Sequence, residues 1–279
     1  MLRPSNRLNK TPTGMLPPCG LTLIELLIAM SIMAMVVGTL GGLAHGVRTA
    51  FEYTEGYGVA TQHARVVLDR IARRVEGAKA NAHFPGFLVV PEIEGTWEFP
   101  ETLVIWRPNG APANPNGLPR YNELVIYTPN LNSPGQLMEM TVPLDDRTVP
   151  PTDELSRWRS ELKTIREGSG FESTVLTHLL RVCLAPEGNR NAPWRGAVRF
   201  QSRLLPSEQD WSLYTTGDVA WQELPWAQGI HGSQTGLRQA SLQIELQLTP
   251  GDLAFATSAG SQAPAVFFGA ATLYYQLER

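Results

Sequence analysis

The sequence predicts an α+β protein: a long N-terminal helix, membrane-spanning at first and amphipathic further on, packed on a mainly antiparallel β-sheet. Three observations carry this. Leu26 to Ala44 contains no charged residue. Apolar residues then recur on one helical face at Ala64, Val67, Leu68, Ile71, Val75 and Ala78. Near the C-terminus, "SLQIELQLT" alternates Leu242, Ile244, Leu246 and Leu248 with Gln243, Glu245 and Gln247, the period of a strand with one buried face.

The first element follows from length and charge. Residues 21–44 at about 1.5 Å per residue cover roughly 36 Å, against a bilayer core of about 30 Å. The short flank before them carries Arg3, Arg7 and Lys10 and no acid. The positive-inside bias therefore places residues 1–20 in the cytoplasm and the bulk of the chain outside, a single-pass topology. A cleaved secretory signal is the plainer alternative. The apolar run is longer than such signals carry, no small-x-small site ends it, and Glu25 sits near its start. Cys19 precedes the apolar stretch, whereas lipoprotein processing needs a cysteine after one.

Glu25 raises the chemical question. A carboxylate at membrane depth costs on the order of 3 kcal/mol unless it finds a partner. At Gly20-Leu21-Thr22-Leu23-Ile24-Glu25 the sequence resembles the N-terminus of type IV prepilins and of type II secretion and competence pseudopilins. The resemblance rests on the basic leader, Gly20, the Thr-Leu-Ile-Glu run and the long apolar helix; Leu21 departs from the phenylalanine most common there. It implies that a membrane prepilin peptidase cuts after Gly20 and methylates the new amino group of Leu21. It also implies that Glu25 pairs with that amine on a neighbouring subunit, each charge offsetting the other's desolvation, so that the pairing sets assembly register. Gly20 suits the cut because glycine lets the backbone approach the peptidase closely. A tolerated glutamate at the membrane interface is the bland alternative for Glu25.

"GTLGGLAHG" places Gly38, Gly41, Gly42 and Gly46 within nine residues, each costing about 1 kcal/mol of helix propensity relative to alanine. Two readings stay open: a soft spot in the helix, where many pilins carry a proline, or close helix packing through small residues. Residues 45–80 continue as an amphipathic helix. Opposite its apolar stripe stand Arg65, Asp69, Arg70, Arg73 and Arg74, with Asp69 and Arg73 in i, i+4 order, read as a solvated face. Within the family, this "LDRIARR" region and the chain's size resemble the J-type minor pseudopilin of type II secretion or the W-type minor pilin.

Residues 81–279 form the exported β-rich domain, which the resemblance makes pilin-like with insertions. Further strands are expected over 102–107, 122–128, 136–142, 173–184, 196–205 and 264–276, separated by proline, glycine and asparagine clusters. Loops fall at Pro108–Pro119, 229–236 and 258–264. One helix interrupts the strands: Thr152 caps "DELSRWRSELKTIREG", whose Leu155, Trp158, Leu162 and Ile165 share a face until Gly168.

Composition bounds the function. With 43% hydrophobic and 18% charged residues among 279, the chain folds. Removing the three leader cations from 23 basic residues leaves 20 against 26 acidic ones, a net charge of −6 that suits no nucleic-acid surface. The five histidines, His45, His63, His83, His178 and His231, are scattered, and His178 and Cys183 in "THLLRVC" would face opposite ways on one strand. No phosphate-cradling or serine-elbow motif occurs. No enzyme activity and no cofactor is expected; Asp145-Asp146 is the single calcium candidate, more simply a solvated turn.

The expectation is a structural subunit, minor on grounds of size, of a pseudopilus or pilus. The resemblance implies as partners other pilins or pseudopilins, prepilin peptidase and, indirectly, an assembly platform and ATPase. The competing class is a membrane-anchored extracytoplasmic sensor, binding protein or enzyme.

Overall fold

The computed structural model describes residues 22–184, 194–249 and 264–279. The chain divides into two compact units, Met1–Glu52 and Tyr53–Arg279, which are taken separately.

Helix α1 runs from Leu23 to Glu76. Its part in the larger unit buries Ala60, Ala64, Val67, Ile71 and Val75. Spacings of three and four place these five on one stripe. Four of them belong to the predicted stripe. Leu68 lies at its half-buried margin, and Ala78 packs against the same core just past the helix end.

Five strands follow as an antiparallel meander, β1 (Phe87–Glu94), β2 (Trp97–Trp106), β3 (Leu124–Asn130), β4 (Ser133–Thr141) and β5 (Glu172–Thr177), in that order across the sheet. Helix α2 (Leu155–Glu167) interrupts the meander between β4 and β5. The sheet has two covered faces, and the period of two sorts β2 between them. Leu103 and Ile105 enter the core that α1 joins. Val104 and Trp106 enter a second core with Trp158, Leu162 and Ile165 of α2. Because both faces are buried, β2 and β3 read as apolar runs instead of alternating.

A second antiparallel sheet has the order β10-β9-β8, from β8 (Val198–Leu205), β9 (Thr235–Leu248) and β10 (Ala265–Glu278). Its inner face, including Leu242, Ile244, Leu246 and Leu248, shares the α1 core. A Cβ on Gly269 of β10 would stand 2.9 Å from a Leu68 methyl, so a glycine here permits close approach of helix and strand. A short ribbon, β6 (Val182–Leu184) with β7 (Trp194–Gly196), and helix α3 (Glu208–Thr216) complete the strands and α-helices among the described residues.

Several expectations change. Thr152 does not cap α2: its N-cap is Glu154, which makes no side-chain capping bond, whereas Gly168 does end the helix, its N–H bonding the carbonyls of Thr164 and Ile165. The expected strand 173–184 is two strands, β5 and β6, so His178 and Cys183 do not share one. Strand β1 was hidden by Pro91 and Glu92, where its pairing with β2 slips. Helix α3 fully buries none of its residues; only Trp211 and Tyr214 pack half-buried against the core, a stripe of two residues. A Ser207/Asp210 capping box begins it, and Gly217 ends it in left-handed conformation with φ 86°. Most of the 258–264 loop lies outside the described residues.

Candidate functional site

The smaller unit is a bare helix whose chemistry lies in its first turn. Thr22 precedes α1 and Glu25 is its third residue. The Glu25 carboxylate accepts hydrogen bonds from the Thr22 backbone N–H at 2.9 Å and the Thr22 hydroxyl at 2.8 Å. In return the Thr22 hydroxyl oxygen accepts from the Glu25 N–H at 3.3 Å. This is a reciprocal capping box. It satisfies two N-terminal donors and puts a negative charge at the positive end of the helix dipole. The Thr-x-x-Glu spacing is visible in the sequence as a box signature. A carboxylate accepts at about four lone-pair sites, so the box leaves capacity for a further donor.

Beyond that turn the helix keeps its polar groups to itself. The Ser31 hydroxyl donates to the Leu27 carbonyl at 2.8 Å, and that of Thr39 to the Val36 carbonyl at 2.9 Å. In a bilayer, which offers no water to such groups, this local satisfaction removes their cost. The first charges after Glu25, Arg48 and Glu52, pair with each other at 2.8 Å. The apolar side chains between are exposed, from Leu23 at 77% to Leu43 at 66%. No residue in the most apolar window is buried, and the helix is long and apolar enough to cross a membrane. A soluble domain does not leave such a surface uncovered. A family model, the prokaryotic N-terminal methylation motif, matches residues 18–41. The chain carries a prepilin-type N-terminus.

The match and the apolar helix together support the type IV pilin and pseudopilin family and fit a prepilin-like, inner-membrane-anchored chain. The α+β architecture, a long N-terminal helix followed by mostly antiparallel sheets, is the pilin-like one expected. No curated protein and no solved structure matches the chain. Gly20 and Leu21, the residues of the expected cleavage and methylation, lie outside the described residues, as do the leader and Cys19. The glycines of the prepilin-type helix, Gly38, Gly41, Gly42 and Gly46, all lie within α1, and a Cβ added to any of them would meet nothing within 4 Å.

In the larger unit, the arginine face is not simply solvated. Arg73 does pair with Asp69 at 2.7 Å, as the spacing predicts. Arg70, however, reaches Glu139 on β4 at 2.7 and 2.8 Å in a two-pronged bond, and Arg74 reaches the same carboxylate at 3.2 Å. The buried Tyr127 hydroxyl donates a fourth bond to it at 2.7 Å. Burial pushes the Glu139 carboxyl up, but the bonds from Arg70 and Tyr127 and the two guanidinium charges outweigh it and hold the group below its usual range. Glu139 went unnoticed in the sequence because it is a lone acid within a strand.

The remaining candidates have ordinary partners. The Asp145 carboxylate pairs with Arg147 at 2.7 Å. Among the described residues no group of three or more metal-ligating side chains converges. His178 lies edge-on to His63, with 5.5 Å between ring centroids. Cys183 is a free thiol, pushed up by burial.

Proposed function

We propose that the chain is a minor subunit of a type II secretion pseudopilus or type IV pilus, processed after Gly20 and assembled through its N-terminal helix. The observation that carries this is the exposed apolar half of α1 headed by the Thr22–Glu25 box, which lies within the matched methylation motif. The leader stays cytoplasmic because of its cations, and residues 81–279 face the periplasm. Prepilin peptidase removes the leader and methylates Leu21, and the resulting ammonium meets Glu25 of a neighbouring subunit in the filament. Carboxylate and amine offset each other's desolvation only in one stagger of the helices, which fixes register. Insertion and extraction energy comes from an assembly platform and ATPase, and the contacts are with other pilins or pseudopilins. The size of the exported domain supports a minor subunit, since a repeating one must tile closely along the shaft.

Mass analysis of the N-terminus in the native host tests this directly: a chain beginning at methylated Leu21 is expected, and an intact leader overturns it. Replacing Gly20 with a bulky residue should leave the precursor uncut on a gel; normal maturation of that variant excludes the cleavage site. If the protein proves the most abundant component of purified filaments by quantitative mass spectrometry, the minor assignment fails.

A further inference from the structure

Two histidines far apart in the sequence meet in the larger unit. His63 stands on α1 beside the buried Ala64, and His178 directly follows β5. Their rings are edge-on, 85° between planes, with centroids 5.5 Å apart. His63 is half-buried and His178 exposed, so solvent reaches the pair. Among the described residues no hydrogen bond or ion pair engages either imidazole. Both backbones are held. His63 rides on a helix whose stripe is sunk in the core. On either side of His178, Thr177 and Leu179 are buried. The Leu179 N–H donates to the Thr177 hydroxyl at 3.2 Å, and its carbonyl accepts from the Thr249 N–H at 2.8 Å. The Leu180 N–H donates to the Gly135 carbonyl at 3.0 Å. Side chains carried on fixed backbone need little assembly by a ligand.

Imidazole nitrogens without a protein partner are good ligands for borderline divalent metals. With a metal about 2.1 Å from one nitrogen of each ring, each centroid lies about 3.2 Å from it, and a tetrahedral angle sets the centroids about 5.2 Å apart. The observed separation matches that to about 0.3 Å. We propose that His63 and His178 form a two-histidine site for a divalent cation of the Zn²⁺, Cu²⁺ and Ni²⁺ class, which clips α1 to the chain leaving β5. No third His, Cys, Asp or Glu converges with them among the described residues. The other coordination positions therefore belong to water, as in an open, exchangeable site and unlike a closed structural one. Local charge permits a cation: Arg70, two turns further along the same face of α1, is met by Glu139. Calcium and magnesium, which take oxygen ligands, do not suit the pair. An ion that binds the folded chain and bridges helix to sheet domain stabilises their packing by mass action. Helix and strand periodicity give no sign of the site, because its two ligands come from elements that only the fold brings together.

The test is Zn²⁺ titration of the full chain in detergent micelles at about pH 7.5, where the ligands are free of competing protons. Calorimetry and thermal unfolding are compared for wild type, His63→Ala and His178→Ala. Wild type is expected to bind one ion per chain, and its midpoint to rise by about 3–6 °C at about tenfold excess over the dissociation constant. Each variant is expected to lose at least about tenfold in affinity, since one imidazole remains, and to unfold near the wild-type midpoint without metal. Mg²⁺ is expected to move none of the three. Cu²⁺ reads the geometry: its electron paramagnetic resonance spectrum should show splitting from two nitrogens in wild type and from at most one in either variant. The absence of saturable Zn²⁺ binding leaves a ring contact only and overturns the site. Binding that persists undiminished in either variant assigns the ion to other groups and overturns it equally. Should His63→Ala fail to fold, the exposed position of His178 keeps its variant decisive.

Discussion

The two ends of α1 are built from similar residues for different solvents. Between Leu23 and Leu43 the large apolar side chains point outwards all round, and the polar hydroxyls bond back to the helix. Between Ala60 and Val75 a narrow stripe is buried to 1% exposure or less, while on the other side Arg73 pairs with Asp69 of the same helix and Arg70 with Glu139 of a sheet. The first end depends on lipid or on other helices to cover it. The second is covered by its own chain. On the proposed assembly, binding energy resides at one end and folding energy at the other, and substitutions at the two ends should separate.

The largest separation is expected from Glu25→Ala. Membrane insertion should persist or improve, since a carboxylate near lipid has gone. Filament incorporation should collapse, because the neighbouring Leu21 ammonium is left buried and unpaired, a loss of about 3–5 kcal/mol. Sheared filament fractions from cells whose only copy is the variant measure it; wild-type stoichiometry there would defeat the pairing mechanism.

Ile71→Ala is the mirror experiment. Ile71 is fully buried in the α1 core, and the cavity should cost the larger unit about 2–5 kcal/mol while leaving processing and insertion intact. Chemical denaturation followed by tryptophan fluorescence reads it.

Glu139→Gln should cost less, about 1–3 kcal/mol, since Arg70 stays partly hydrated while Tyr127 keeps an acceptor. The wild-type contribution carries a pH signature. The folded group lies below 4.5, so its stabilisation is present above that value and is lost as pH falls through the folded one. A denaturation series between about pH 5 and 3 should therefore steepen for wild type relative to the variant.

Thr22→Ala should have the smallest effect, about 0.5–2 kcal/mol localised to the first helical turn. Amide exchange at residues 23–26 should quicken in micelles with no change in the unfolding midpoint of the larger unit. Unchanged exchange would mean that the box does not hold the helix start.

How much of this was legible in the residues varies with the range of the interaction. The membrane-length run, the stripe on α1, the alternation in β9, the Asp69–Arg73 pair and the end of α2 at Gly168 are all local patterns, and each is found where the spacing puts it. The Thr22–Glu25 box is equally local, its residues three apart. Strand β1 was obscured by Pro91, and α3 by a core-facing stripe of only two residues, Trp211 and Tyr214.

The sequence by itself determined the prepilin-type N-terminus, the lipid-compatible helix and the α+β class, because charge-free length, glycine before the Thr-Leu-Ile-Glu run and periods of 3.6 and 2 are properties of neighbouring residues. Only the tertiary structure decided which arginines meet a buried acid. Arg70 lies 69 residues from Glu139, and Arg195 lies 94 residues from Glu101. Nothing in helix or strand periodicity encodes a partner at that separation. The sheets had to bring those side chains together, and burial then gave a bare carboxylate and a bare guanidinium no other way to lose the cost of their charge.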